Sequence, residues 1–290
     1  MARLRWRERI IEGVIYACGV SSIGIVMLIF LFLVKEGLAL FQTVPIGDFL
    51  LGDRWYPISE PPRFGILPLL LGSLWVTVGA VALSVPVGIA SALFISEIAT
   101  GWMREALKTG TELLAVIPSV VLGFIGVTMV APYIQRTFHL STGLTALTGA
   151  FVLALMAMPT IVSITEDALA AVPRGYREAA LALGATRWQM MWRVLLPAAR
   201  SGILAATMLG IGRVIGETMA VMMVTGNAAV IPQTLLRPVR TMTATIAAEM
   251  GETVRGSEHY FALFAIGVVL FALSFVINML ADLFLHRERA

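Results

Sequence analysis

The chain has 290 residues, 58% of them hydrophobic and only 13% charged, with a mean hydropathy of +0.88. A soluble globular domain carries about twice that charged fraction, so the composition excludes a soluble enzyme and marks an integral membrane protein. A net charge of +3 and a pI near 9.3 do not signal nucleic acid, because the arginines are scattered between apolar runs and form no single stripe. Cys18 is the single cysteine, which leaves no intrachain disulfide and no cysteine metal cluster.

In chain order, Met1 to Arg9 is cationic, and Gly13 to Val34 is a run of 22 uncharged residues. A signal peptide would have an apolar core of about 7–15 residues followed by an A-x-A-like site, whereas Lys35-Glu36 follows here, so the run reads as a retained first transmembrane helix. Residues 37–65 hold Pro45, Pro57, Pro61 and Pro62 with several glycines, which predicts an ordered external loop. The uncharged run from Phe64 to Ser96, 33 residues, exceeds the ~20 that a bilayer needs. It predicts a second span that is long, tilted or bent at Pro86. A charged turn from Glu97 to Lys108 ends it. The third span is expected from Leu113 to about Ile134, interrupted at Pro118, and the fourth from Gly143 to about Thr165. A fifth is expected from Ser201 to about Thr225 and a sixth from Tyr260 to Ala281, separated by an external segment 226–259. A short basic tail ends the chain.

Between the fourth and fifth spans lies a polar insert, Arg174 to Pro197. Arg177 to Leu183 is rich in Glu, Ala and Leu and predicts a two-turn helix that Gly184 ends in the left-handed conformation. Thr186 is placed to cap a second helix running through Trp188 to Leu196, and Pro197 blocks its extension unless it opens the next helix. Helix, glycine elbow and helix make a compact knob, and the adjacent alanines 179 and 180 leave a face with little bulk for another protein to approach. The ordering is Glu178-Ala179-Ala180, three residues, Gly184, nine residues, then V-x-Leu196-Pro197. This spacing resembles the EAA loop of ABC-transporter permeases, with Val194 in place of the usual Ile. An ordinary loop between membrane helices is the plain alternative.

With six spans both termini share one side. Placing the N-terminus, 97–110, 164–200 and the tail in the cytoplasm puts 13 cationic residues there against 7 outside, with Arg213 inside the fifth span. The positive-inside rule therefore makes the insert and both termini cytoplasmic. Arg213 and Glu217 are the charges predicted inside the spans, four residues apart and thus on one face of a continuous helix. Counted from Ser201, Arg213 lies about 18 Å in, near the bilayer midplane. Burying it there costs at least ~2.5–3.5 kcal/mol unless it meets water, protein or substrate. Gly210, Gly212 and Gly216 are expected to clear space around it. An internal ion pair serving helix packing is the alternative to an anion pathway in which Glu217 holds the arginine between cycles.

The segment Gly210-Ile-Gly-Arg-Val-Ile-Gly-Glu-Thr-Met-Ala-Val221 resembles the permeases of the phosphate-specific ABC importer, which share an R-x-I-G-E-T core. Met-Ala-Val after Thr218 is similar to the PstC type of subunit, whereas Ala-Pro is usual in PstA. Phe49-Leu-Leu-Gly52, Phe64-Gly-Ile-Leu-Pro68, Pro118-Ser-Val-Val and Ile246-Ala-Ala-Glu-Met-Gly-Glu252 agree with it, and the resemblance spans about residues 45–282. Val214, where the family often has Ala, is a mild departure. The resemblance implies an all-α integral membrane protein of six transmembrane helices with a five-helix, MetI-like permease core in the bacterial inner membrane. It divides the chain into the N-terminus and first helix, 1–34, an external loop, 35–65, the core, 66–282, with a cytoplasmic coupling loop at 166–200, and a tail, 283–290. It further implies half of an inorganic phosphate pathway, paired with a PstA-like permease, driven by a PstB-like ATPase dimer and fed by a PstS-like binding protein, the external segments receiving the last. Arg213 and Glu217 would line the pathway, while Glu178, Ala179, Ala180, Gly184, Leu196 and Pro197 would couple to the ATPase.

No G-x-x-x-x-G-K-[S/T] occurs in the chain, so ATP and Mg are expected on the partner and no cofactor here. A same-fold permease for sulfate, molybdate or an amino acid is the second reading, opposed by the R-x-I-G-E-T segment. A membrane enzyme or channel is the third. His139, His259 and His286 lie far apart with no histidine–carboxylate spacing typical of a metal site, which opposes it. Membrane lipid is an expected partner and nucleic acid is not.

Overall fold

A computed structural model describes the backbone of residues 2–287 and the side chains of 11–279 and of Leu283. Helix α1 (Ala2–Ala39) begins the chain and continues past Lys35-Glu36, both good helix formers, so the external loop begins later than the charges suggest. It lies against the last helix, α14 (Glu258–Arg287), through Phe30–Phe271 and Phe32–Phe264 ring contacts at 4.6 and 5.5 Å and a close approach of Gly37 to Ala265, and most of its described side chains are exposed. The expected loop is a small folded cap: α2 (Ile46–Leu51) and a hairpin of β1 (Trp55–Tyr56) and β2 (Arg63–Phe64), with Trp55 opposite Phe64. Phe49, Trp55 and Ile66 are buried with Leu40, Leu69, Met242, Leu263 and Ile266 in a separate core.

Helix α3 (Leu67–Leu93) runs through Pro86 and ends in a π-helical turn, Phe94–Ile98. The stretch expected as a charged turn is instead α4 (Trp102–Val116), a 15-residue helix with no buried residue. Its charges lie among Ala, Leu, Met and Glu, all strong helix formers, and positions 104 and 108 recur at helical spacing, so charge interrupts the span without interrupting the helix. Helix α4 ends before Pro118, which moves the start of the third span from Leu113 to Ser119. That span comprises α5 (Ser119–Ile125), a π turn (Gly126–Val130) and α6 (Ala131–Thr137). Helix α7 (Ala146–Ala170) is the central element, with 61% of its most apolar window buried.

After α7 come α8 (Arg174–Ala182), α9 (Arg187–Met190), a π turn at Met191–Leu195 and α10 (Leu196–Ala198). Pro197 therefore sits in the first turn of α10, and that helix ends just beyond it at Ala198. A 73° bend leads into α11 (Arg200–Gly216), followed by α12 (Met219–Val224) and α13 (Met242–Glu249). Five of the described helical segments are long and apolar enough to cross a membrane, and a sixth counts when the bent pair 187–198 and 200–216 is one span.

Small residues let α7 sit between α3 and α11. A Cβ on Gly88 would lie 2.7 Å from Ile161, one on Gly79 2.8 Å from Ala150, and one on Gly210 2.8 Å from Ile161. Such close approach replaces the hydrophobic drive that lipid cannot supply between helices. Residues 226–241, the first part of the expected external segment 226–259, fold back among the helices. Their carbonyls at Leu235 and Arg237 accept from the amides of Leu147 and Ala146, at 2.7 and 3.0 Å, satisfying donors that the start of α7 would otherwise leave unpaired. The Arg240 carbonyl rests where a Cβ on Gly72 would be. Gly72→Ala must therefore displace backbone and should destabilise the detergent-solubilised chain by about 1–3 kcal/mol. Gly24→Ala, with nothing within 4 Å, should be neutral or slightly stabilising. Thermal unfolding of both variants checks this, and equal melting would contradict the placement.

Candidate functional site

The insert 174–197 folds as the expected knob. Gly184 has φ of +81°, and a Cβ there would meet no atom within 4 Å, so backbone conformation alone demands glycine. Thr186 accepts from the Gln189 amide while Gln189 Oε1 accepts from the Thr186 amide, a complete capping box for α9. The two alanines part company, because adjacent helical residues point about 100° apart. Ala180 is buried with Ala92, Leu93, Leu169, Val172, Met190 and Leu195, mounting the knob on the ends of α3 and α7, whereas Ala179 faces out. Glu178 and Pro197 are exposed, and Leu196 is half-buried.

What the sequence reading missed is how apolar the knob's outer surface is. Leu183 is 89% exposed, Trp188 63% and Tyr176 54%, with Leu181 and Trp192 also open; the Trp188 and Trp192 rings lie 5.3 Å apart. Their presence in a polar insert was the available signal, since an exposed apolar cluster marks a contact with protein or membrane.

Ion pairs fix the surroundings. Arg177 Nη2 donates to Glu97 Oε1 at 2.8 Å and to the Leu169 carbonyl at 2.9 Å, Nη1 to the Val172 carbonyl at 2.8 Å, and Nε to Glu97 at 3.2 Å. The buried Glu166 carboxylate on α7 takes Arg104 at 3.2 Å and Lys108 at 3.4 Å, tying down α4. On the opposite face Glu249 accepts from Trp55 Nε1 and Arg240 Nη1 and pairs with His259 Nε2 at 2.8 Å, joining the hairpin, α13 and α14.

Arg213 lies in the last turn of α11, exposed on a face shared with Leu209, Gly212 and Gly216, and its Nη1 donates to Thr160 Oγ1 at 3.4 Å. Gly212 and Gly216 border open space, as expected, but Gly210 serves the packing on α7. The expected pairing of Arg213 with Glu217 does not form. The helix ends at Gly216, and Glu217 is extended with φ −71° and ψ 131°, so the two residues no longer share a helix face. The Glu217 carboxylate instead accepts from the Ala220 amide at 3.2 Å, and its backbone carbonyl accepts from Thr243 Oγ1 at 3.0 Å. Glu217 thus caps α12 across a break in the span, and Arg213 is left without a carboxylate partner among the described residues.

The chain is a helical membrane protein with a folded knob between two spans and a broken span carrying an arginine. Residues 84–290 match the model of the binding-protein-dependent transport system inner membrane component family, and the chain belongs to that family. It is therefore a multi-pass inner-membrane permease subunit of an ABC transporter, a transport component that is not itself catalytic. It is 40% identical over 269 residues, 92% of this chain and 87% of the other, to the probable ABC transporter permease protein YqgH of Bacillus subtilis. It is 37% and 34% identical to the phosphate transport system permease proteins PstC of Mesorhizobium japonicum and Xylella fastidiosa, in each case over 83% of this chain and 78% or 79% of the relative. In fold it is similar to a chain of a bacterial alginate ABC transporter, with TM-score 0.67, 19% identity and coverage of 98% and 97%. A chain of the inward-facing MetNI methionine transporter gives TM-score 0.60 at 21% identity, covering 79% of this chain and 99% of that one.

Gly184→Pro cannot adopt the elbow's φ, and should open the knob while the spans remain folded. Limited trypsin digestion should then cut at Arg187 or Arg193 several-fold faster than in the unchanged chain. Equal cutting rates would mean that the elbow does not hold the knob.

Proposed function

We propose that the chain is the PstC-type permease subunit of an inorganic phosphate importer, forming half of the pathway beside a PstA-like subunit. The observation that carries the reading is Arg213, a cation within a predicted span, exposed on a face made open by Gly212 and Gly216 and lacking a carboxylate partner among the described residues. Hydrocarbon against that face would cost several kcal/mol, so the face meets a partner subunit and a polar pathway. Phosphate carries one to two negative charges, and a guanidinium pairs two of its oxygens in a planar fork. A bond to one neutral hydroxyl, Thr160, leaves most of that fork free and lets the anion leave again. Relatives named as phosphate permeases favour this over sulfate or molybdate.

In this reading residues 166–200 form the cytoplasmic coupling loop of a core at 66–282, and both termini are cytoplasmic. Leu183, Tyr176 and Leu181 with Glu178, Ala179 and Gly184 meet a PstB-like ATPase, which holds ATP and Mg. Ala180, Leu196 and Pro197 act from beneath, by seating that surface. The cap at 40–66 and the exposed part of 250–257 receive a PstS-like binding protein. Glu217 contributes by stabilising the break that ends α11 beside Arg213.

The test is uptake of labelled phosphate into vesicles holding this chain with PstA-, PstB- and PstS-like partners, normalised to assembled complex. ATP-dependent accumulation of phosphate and not sulfate is expected. Arg213→Gln should assemble yet lower uptake by at least about tenfold, and Arg213→Lys should also transport poorly, because it keeps the charge and loses the fork. Wild-type uptake by Arg213→Gln would remove the arginine from the pathway, and equal uptake of sulfate would overturn the substrate.

A further inference from the structure

We propose that Arg177 and Glu97 are the positioning pair through which movement of the knob reaches the membrane helices, an inference that rests on the knob being the ATPase-coupling element. The pair bridges 80 positions of sequence and is largely buried, the side chains being 20% and 10% exposed. Every nitrogen of the guanidinium is engaged: Nε and Nη2 on Glu97, Nη2 also on the Leu169 carbonyl, and Nη1 on the Val172 carbonyl. One group on α8 therefore grips both the end of α3 and the end of α7.

The rest of the knob's mount is apolar packing around Ala180, Met190 and Leu195, which is non-directional and lets surfaces slide. Among the described residues, the side-chain hydrogen bonds from 174–199 to α3 and α7 all come from Arg177. A rotation of α8 therefore pulls on Glu97 in a fixed direction. Glu97 sits in the π turn that closes α3, a geometry that is rare overall and frequent at functional sites. Glu178, one residue beyond Arg177, is exposed and free to contact a partner, so docking and transmission fall to adjacent residues on different faces of α8.

The test uses the assembled transporter in vesicles, with ATPase content, ATP hydrolysis and phosphate uptake measured together. Glu97→Gln keeps the shape of its side chain while removing the charge, and Arg177→Gln, shorter and with two N–H donors in place of five, removes the fork that grips Glu97 and the two carbonyls. Each should retain the ATPase and hydrolyse ATP, but import about tenfold less phosphate per ATP. The double variant should be no worse than Arg177→Gln alone, as for two halves of one interaction. Unchanged phosphate per ATP in both single variants would overturn the proposal. So would loss of bound ATPase in proportion to lost uptake, because the pair would then only shape the docking surface. Gly184→Pro separates the two readings. If it keeps the ATPase and transports normally, the coupling role of the knob fails. If it strips the ATPase while Arg177→Gln transports normally, only the link fails.

Discussion

Hydrocarbon cannot hydrogen-bond, so a chain in the bilayer must satisfy each backbone donor and acceptor from within, and this constraint organises the irregular parts of the structure. The fifth span stops being helical after Gly216, which would strand amides in an apolar layer. The Glu217 carboxylate takes the Ala220 amide and Thr243 takes the Glu217 carbonyl. The start of α7 meets the same need with carbonyls of Leu235 and Arg237. The segment 226–241 is thereby held within the helix bundle, and α13 comes to lie beside the break. At the break beside the arginine, side chains and not water supply these partners.

The number of spans, the knob, its elbow and its capped second helix were legible because each rests on local chemistry: uninterrupted apolar length, a glycine placed for positive φ, a threonine three residues before a glutamine. The resemblance to phosphate permeases is carried most sharply by the segment 210–221, with shorter stretches from Phe49 to Glu252 beside it, and the relatives agree with it. Three features were not legible. Helix α4 was hidden because charge was taken to end helical structure along with the span, although the two limits differ. The return of 226–241 into the bundle depends on contacts with Gly72 and Leu147, far away in sequence. The break at Glu217 contradicts an i to i+4 pairing that a periodic reading assumes; Gly216, which precedes it, reads equally well as a residue that clears space within a continuous helix.

That break changes the surroundings of Arg213. A paired arginine in a continuous helix would be a neutral, packed element. An arginine at the end of α11, hydrogen-bonded to a single hydroxyl on α7 and flanked by glycines, is an exposed cation on a surface that needs a partner. At the knob, Arg177 is held by Glu97, and Glu166 by Arg104 and Lys108, while Leu183, Trp188 and Tyr176 face outward.

The central claim is that the face carrying Arg213 lines an aqueous pathway in the assembled transporter and does not face lipid. The direct measurement is the reactivity of Gly212→Cys in a Cys18→Ser background, since position 212 borders open space beside the arginine. In the assembled complex a charged, water-soluble thiosulfonate should modify this cysteine, and phosphate presented by the binding protein during turnover should slow the reaction. A cysteine that resists the charged reagent in every state, yet reacts with a lipid-soluble maleimide, would place the face in the bilayer and contradict the account.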